Sequence, residues 1–315
     1  MDKIQKALEK SWLERDRDQA AQRREGSAPA RPSPPVNGVP ATRQGSAPSP
    51  TVQQPVRTGP TRSPMPVPAA DETDQIADIS YTQTRVNPIT PKGLEKRRLI
   101  AGLPQHAYAD TFRILRTRVL QRMEQNGYRT IGVLSSVGQE GKSLVASNLA
   151  ISLANILTRT VLLVDLDLRA PSIHTYFGVS PEPGLMGYLR EGRALSDCLV
   201  NPGIDRLVLL PNGRPAINSA ELLTMPRMTG LAKELRETYR DRVIIYDLAP
   251  LLHTDDALAF MHHIDCCLMV ASEGRTTENE LKQAVSLLKG HKLIGTVMNR
   301  STETAKHVKK SRATR

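Results

Sequence analysis

The stretch VLSSVGQEGKSLVASNLA (Val133 to Ala150) joins an apolar run to an amphipathic one through a turn that ends in Gly-Lys-Ser. A strand ending at Ser135 or Ser136, the turn VGQEG and a helix opening at Lys142 would aim successive backbone N–H groups at one point. Such a turn cradles an anion. In the pattern G-x-x-x-x-G-K-[ST] the lysine reaches the β- and γ-phosphates of a nucleotide and the last hydroxyl binds Mg2+. Lys142 and Ser143 fill those places and Gly141 precedes them. Ser136 replaces the first glycine, and a glycine stands at 138 instead. A small residue at 136 meets the need there, which is room for the chain to turn.

Two acidic motifs strengthen the case. VLLVDLDLR places Asp165 and Asp167 at the end of an apolar strand, and alternation puts both side chains on one side. Two carboxylates so close call for a cation or a shared proton. VIIYDLAP supplies Asp247 directly after another apolar run. Cys198, Cys266 and Cys267 show no metal-ligand spacing and no disulfide framework, and Cys266 and Cys267 read as small buried hydrophobes.

The elements that must hold these residues alternate. After the helix AYADTFRILRTRVLQRM (Ala107 to Met123), short apolar runs predict strands at TIGVLSS, TVLLVDLD, RLVLLP, RVIIYDLA, CCLMVAS and LIGTVMN. Helices are expected from Lys142 to about Leu157, at PRMTGLAKELRETYR, near Asp256 and from about Thr277 to Leu288, with a loop-rich segment after TVLLVDLD. This alternation specifies an α/β fold with a mainly parallel sheet covered by helices on both faces. Ligands of such sheets gather at the carboxyl ends of the strands.

Upstream the texture differs. Between Ala21 and Ala70 lie 12 of the 23 prolines and no aromatic residue, a composition that cannot bury enough apolar surface to offset its ordering entropy. The expected organisation is a short amphipathic helix at 1–20, a disordered Pro-rich linker at 21–98, a catalytic domain at 99–300 and a basic tail at 301–315. Ile4, Leu8, Trp12 and Leu13 recur at helical spacing after a capping-box-like Asp2 and Gln5. Such a helix is marginal alone and suits docking on a partner. The formal net charge is +11. No run approaches the roughly 18 apolar residues of a spanning helix, and the N-terminus lacks the apolar core of a signal peptide. A cytoplasmic chain with only indirect membrane association is expected. Without a helix-turn-helix or zinc pattern, nucleic acid is not an expected partner.

Together, SSVGQEGKS, VLLVDLDLRAP and VIIYDLAPLLHTDDA resemble the Walker A, A′ and B segments of the bacterial tyrosine kinases of exopolysaccharide synthesis. GLMGYLREGRALSDCLV, LVLLPNGRPAINSAELLTMPRM and LIGTVMNR extend the likeness over about Ala107 to Arg300. MDKIQKALEK and LPNGRPAINSAELL are most similar to the autokinases of exosortase-associated polysaccharide systems. The resemblance implies a P-loop fold of the deviant, partition-ATPase-like kind, with ATP and Mg2+ as cofactors. It implies that Gly138, Gln139, Glu140, Gly141, Lys142, Ser143 and Leu144 hold the phosphates, with Asn299 near the adenine. Ser143, Asp167 and Asp247 would serve the metal, and Lys142, Asp165 and Asp167 the catalysis, Asp165 as the base. Asp110, Arg113 and Arg116 match an E-x-x-R-x-x-R element of ring-like self-association, with Asp in place of Glu.

The resemblance further implies a tyrosine (auto)kinase that regulates polysaccharide polymerisation, chain length or export. Its partner would be the cytoplasmic segment of an integral membrane chain-length protein, which places the chain at the inner face of the plasma membrane. Gly138-Gln139 replaces the family's Pro-Gly, and Leu248-Ala249-Pro250 replaces Thr-Pro-Pro. Many members carry a C-terminal tyrosine cluster, but no tyrosine follows Tyr246 here. The acceptor is therefore another tyrosine such as Tyr81 in DISYTQT, or a separate protein, or the chain is a nucleotide-switched scaffold without kinase chemistry.

Overall fold

The computed structural model describes residues 84–156, 158–238 and 242–302. Its strands are β1 (Arg85–Val86), β2 (Thr130–Ser135), β3 (Thr160–Leu166), β4 (Val200–Asn201), β5 (Leu207–Leu210), β6 (Arg242–Leu248), β7 (Cys266–Ser272) and β8 (Leu293–Asn299). They form one sheet in the order β1-β4-β5-β3-β6-β2-β7-β8. Neighbours run parallel except β4 and β5, which run antiparallel. The apolar residues of β3, β6 and β7 are buried along their whole length, as expected of inner strands covered on both faces.

The helices are α1 (Pro91–Lys96), α2 (Ala109–Asn126), α3 (Lys142–Ala154), α4 (Ile173–Phe177), α5 (Gly184–Glu191), α6 (Leu195–Cys198), α7 (Ser219–Thr224), α8 (Pro226–Thr238), α9 (Asp256–Phe260) and α10 (Glu278–Leu287). Thr277 and Glu280 cap the N-terminus of α10 with a reciprocal capping box. From Lys142 to Ala154 every residue of α3 but Leu144 is buried, so this helix forms the inner wall of the core. The segment expected to be loop-rich after β3 carries α4, α5 and α6. Cys198, Cys266 and Cys267 are buried and form no disulfide.

The domain boundary differs from the one expected at residue 98. Val86 pairs with Asn201 across β1 and β4, and the amides of Asn87 and Ile89 continue onto the carbonyls of Asn201 and Pro202. Thr90 caps α1 through the Gly93 amide, with Pro91 in the first helical turn. Leu94 and Leu99 enter the core. Asn148 of α3 then accepts from the Ala101 amide and donates to the Arg98 carbonyl, both at 3.0 Å. Residues 85–98 therefore belong to the folded domain. Their few apolar residues are spaced too irregularly among prolines to show a helical or strand period. The expected helix at 1–20, the linker up to residue 83, Tyr81 and the tail beyond Thr302 lie outside the described residues.

Candidate functional site

The carboxyl ends of β2, β3 and β6 meet at the N-terminus of α3. Register sets Asp165 of β3 directly beside Asp247 of β6, and neighbouring residues on one face of a sheet stand about 5 Å apart. Lys142, the first residue of α3, extends across them. Its ammonium lies 2.6 Å from Asp167 and 3.6 Å from Asp247. Burial alone would lower its pKa, but the carboxylates of Asp247, Asp167 and Asp165 hold it above the ordinary lysine value. The ammonium also lies 3.2 Å from the Ser143 hydroxyl.

The carboxylates differ in what they lack. Asp165 accepts the Ser172 and Ile173 amides with Oδ2, at 2.9 and 3.0 Å, and so anchors the first turn of α4. Its Oδ1 is buried without a hydrogen bond. Burial, and then the neighbouring Asp247 charge, push its carboxyl well above the usual range. Both oxygens of Asp247 are buried without a hydrogen bond, and burial pushes this carboxyl up to about 6. Buried carboxylate oxygens left in that state are what a bound cation would relieve. Among the described residues no cluster of three or more His, Cys, Asp or Glu forms a metal centre by itself.

The anion-binding turn is braced from outside. Gln139 stands in the left-handed region at φ 64° and Gly141 at φ 91°. At Gly141 a side chain would also overlap the Asn299 amide, so glycine is required there twice over. Asn299 donates to the Glu140 carbonyl at 2.8 Å, and Arg300 donates to that of Gln139 at 3.2 Å. The buried Glu140 side chain accepts the Val137 amide and the Thr276 hydroxyl, while Thr276 accepts the Ser272 amide at the end of β7. On the opposite side the amides of Leu251 and Leu252 reach the carbonyls of Ser135 and Ser136. Gly138 lies under the His253 ring, and Leu144, the one partly buried residue of α3, packs against the core.

Thus Lys142, Ser143, Asp165, Asp167 and Asp247 lie together at the strand ends. Asn299 also comes to the site, where its side chain clamps the turn. The self-association element is split. Arg113 pairs with Asp110 on the exposed face of α2, whereas Arg116 turns inward and donates to the Ser152 carbonyl of α3 at 3.0 Å.

Three contributions escaped the sequence reading. Thr276 gave no signal beyond being a polar turn residue. Arg169, two residues past Asp167, donates through Nε to the Ser219 hydroxyl at 2.9 Å and to Asp256 at 3.3 Å. Ser219 also donates to Asp256 at 2.9 Å, and both are fully buried. The acidic pair Asp255 and Asp256 after Asp247 was the only hint of that network.

Residues 131–314 match the family model described as the CobQ/CobB/MinD/ParA nucleotide binding domain. The tyrosine-protein kinase YwqD of Bacillus subtilis is 30% identical over 199 residues, which are 62% of this chain and 82% of YwqD. The tyrosine-protein kinase etk of Escherichia coli is 29% identical over 206 residues, covering 63% of this chain but only 28% of that protein. The solved kinase domain of the Escherichia coli enzyme superposes with a TM-score of 0.60 at 26% identity, over 69% of this chain and 91% of the domain. With that match spanning more than half of the polypeptide, and with the Walker residues assembled at one strand-end site, the chain belongs to the bacterial tyrosine kinases within the CobQ/CobB/MinD/ParA nucleotide-binding family.

Proposed function

We propose that the protein is an ATP- and Mg2+-dependent protein-tyrosine kinase that regulates the polymerisation, chain length or export of an exopolysaccharide. The observation that carries this reading is the single Lys142 ammonium held among Asp165, Asp167 and Asp247 at the mouth of an anion-binding turn. Backbone amides between Gly138 and Ser143 bind the phosphates, and Lys142 leaves Asp167 to span the β- and γ-oxygens. Asn299, which clamps the turn, would lie near the adenine. Ser143 and Asp247 would hold Mg2+, with Asp167 beside it. When bound, the ion neutralises charge on the phosphate oxygens.

Asp165 is the base. Its free Oδ1 accepts the phenolic proton while the tyrosine oxygen bonds to the γ-phosphorus and the bond to the ADP oxygen breaks. A carboxyl lifted by burial is a stronger proton acceptor than a solvated one. Most of the rate arises from position and charge neutralisation.

The partner in this reading is the cytoplasmic segment of an integral membrane chain-length protein, met through residues 1–20, which holds the kinase at the inner face of the membrane. Among the described residues no helix is long and apolar enough to cross a membrane. Copies associate through Asp110 and Arg113 beside the exposed Ile114. The test is incubation of the full chain with Mg·ATP and mass spectrometry for phosphotyrosine. Lys142→Met should abolish labelling with the circular-dichroism spectrum retained. Hydrolysis of ATP without phosphotyrosine would replace the kinase by a nucleotide-switched scaffold.

A further inference from the structure

The carboxyl ends of the strands set out the site in a fixed order. Strands β5, β3, β6, β2, β7 and β8 lie side by side in that order and run parallel. Asn299 ends β8, the anion-binding turn follows β2, and Asp247 and Asp165 stand at the ends of β6 and β3. A nucleotide seated as proposed, with its base near Asn299, would extend its phosphates towards β3. The attacking and leaving oxygens of phosphoryl transfer lie roughly in line, so the acceptor would enter from the far side, over the loop that follows β5. That loop begins one strand spacing from β3, about 5 Å away.

The entrance is rigid and carries unused donors. Ala216 donates its amide to the Leu168 carbonyl at 2.8 Å, which ties the loop after β5 to the segment after Asp167. Arg169 donates through Nε to the fully buried Ser219 and Asp256, yet its side chain is 45% exposed. Burying a carboxylate is costly, and here it fixes one edge of the guanidinium; among the described residues the two terminal nitrogens donate no hydrogen bond. Next to Ser219, the neutral Asn218 accepts from Arg190 at 3.0 Å. Arg214, by contrast, is committed to Glu182 and Glu191. Ile217, the residue before Asn218, is 95% exposed. Two arginines are thus fastened to one loop beside a projecting isoleucine, an arrangement suited to carboxylates and an apolar side chain.

The folded domain offers this entrance no freely exposed tyrosine of its own among the described residues. Tyr246 is fully buried, and Tyr108, Tyr128, Tyr176 and Tyr188 are half-buried. The net charge of +11 favours encounter with an acidic partner and opposes encounter between two copies.

We propose that Arg169, Arg190 and Ile217 select the protein substrate, a tyrosine of a separate chain flanked by carboxylates and an apolar residue. The inference rests on the kinase reading. The substrate tyrosine oxygen bonds to the γ-phosphorus, the bond from that phosphorus to the ADP oxygen breaks, and the phenolic proton passes to Asp165.

The test uses the full chain, Mg·ATP and synthetic peptides that hold one tyrosine and one isoleucine among glutamates, glutamines or lysines. The glutamate peptide should be phosphorylated with a KM about tenfold below that of the glutamine peptide at similar kcat. Arg190→Glu should abolish that preference and favour the lysine peptide, and Ile217→Ser should raise the KM of the glutamate peptide about fivefold. Both side chains are exposed, so these variants keep the fold, whereas Arg169→Gln would leave Asp256 buried without its partner. Equal KM values for the three peptides, or the wild-type preference retained in Arg190→Glu, would overturn the proposal. So would label confined to the kinase chain, and its appearance on an added Lys142→Met chain would make the occupant a second copy. A wild-type chain that labels neither the peptides nor itself would instead overturn the kinase reading beneath the proposal.

Discussion

At the scale of single residues, the anion-binding turn carries a side chain where its backbone is least forgiving. Gln139 occupies a left-handed conformation at φ 64° while the adjacent Gly138 has no such need. A side chain in that region costs about 1 kcal/mol relative to glycine. Gln139→Gly should therefore raise the free energy of unfolding by about that amount in urea titrations, with the Arg300 contact kept because it uses the Gln139 carbonyl. The residues proposed to handle phosphate were legible because chemistry restricts them. Lys142, Ser143 and Asp247 cannot change type without losing an ammonium, a hydroxyl or a carboxylate. Glu140 was legible as part of the turn but not as its brace, since its partner Thr276 lies 136 residues away.

Elements show the same division. Strands β2, β3, β6 and β7 announced themselves as apolar runs, and α10 was expected from about Thr277 to Leu288. How they are fastened was hidden, because each fastening joins distant segments through one polar side chain. Asp265, just before β7, accepts the amides of Arg129 and Thr130 at 2.9 and 3.0 Å and pairs with Arg236 of α8 at 2.7 Å. Burial would raise its carboxyl, but these donors hold it below the usual range. Asp265→Asn should cost about 2 kcal/mol of stability at neutral pH. A carboxyl lowered on folding stabilises above its unfolded pKa, here 3.8, and loses that contribution as pH falls through the folded value. Wild type and variant should therefore converge in acid, as followed by denaturant melts from pH 7 to pH 3. Between β7 and the turn, Thr276→Val leaves the buried Glu140 carboxylate one donor short. It should weaken Mg·nucleotide affinity about tenfold by calorimetry.

For the molecule as a whole, the sheet was legible as parallel and two-sided, but not the reversal of β4 or the strand β1 beyond it. Both are two residues long, too short to display a period. Self-association is argued at this scale. With Arg116 committed to Ser152, the exposed contribution of α2 falls to Asp110 and Arg113 beside Ile114, so Arg113→Ala should weaken assembly at least tenfold in sedimentation. Helix α3 begins with Lys142, the proposed phosphate ligand, and carries near its other end the Ser152 carbonyl gripped by Arg116, while the Ser152 hydroxyl donates to the Phe112 carbonyl of α2. A 13-residue helix is a stiff rod of about 20 Å. In the proposed assembly, one end would feel the occupant of the turn and the other the helix through which copies would meet. Thermodynamic reciprocity would then tie the two equilibria: nucleotide affinity would become a function of protein concentration, and a binding constant would have meaning only with the assembly state at which it was measured.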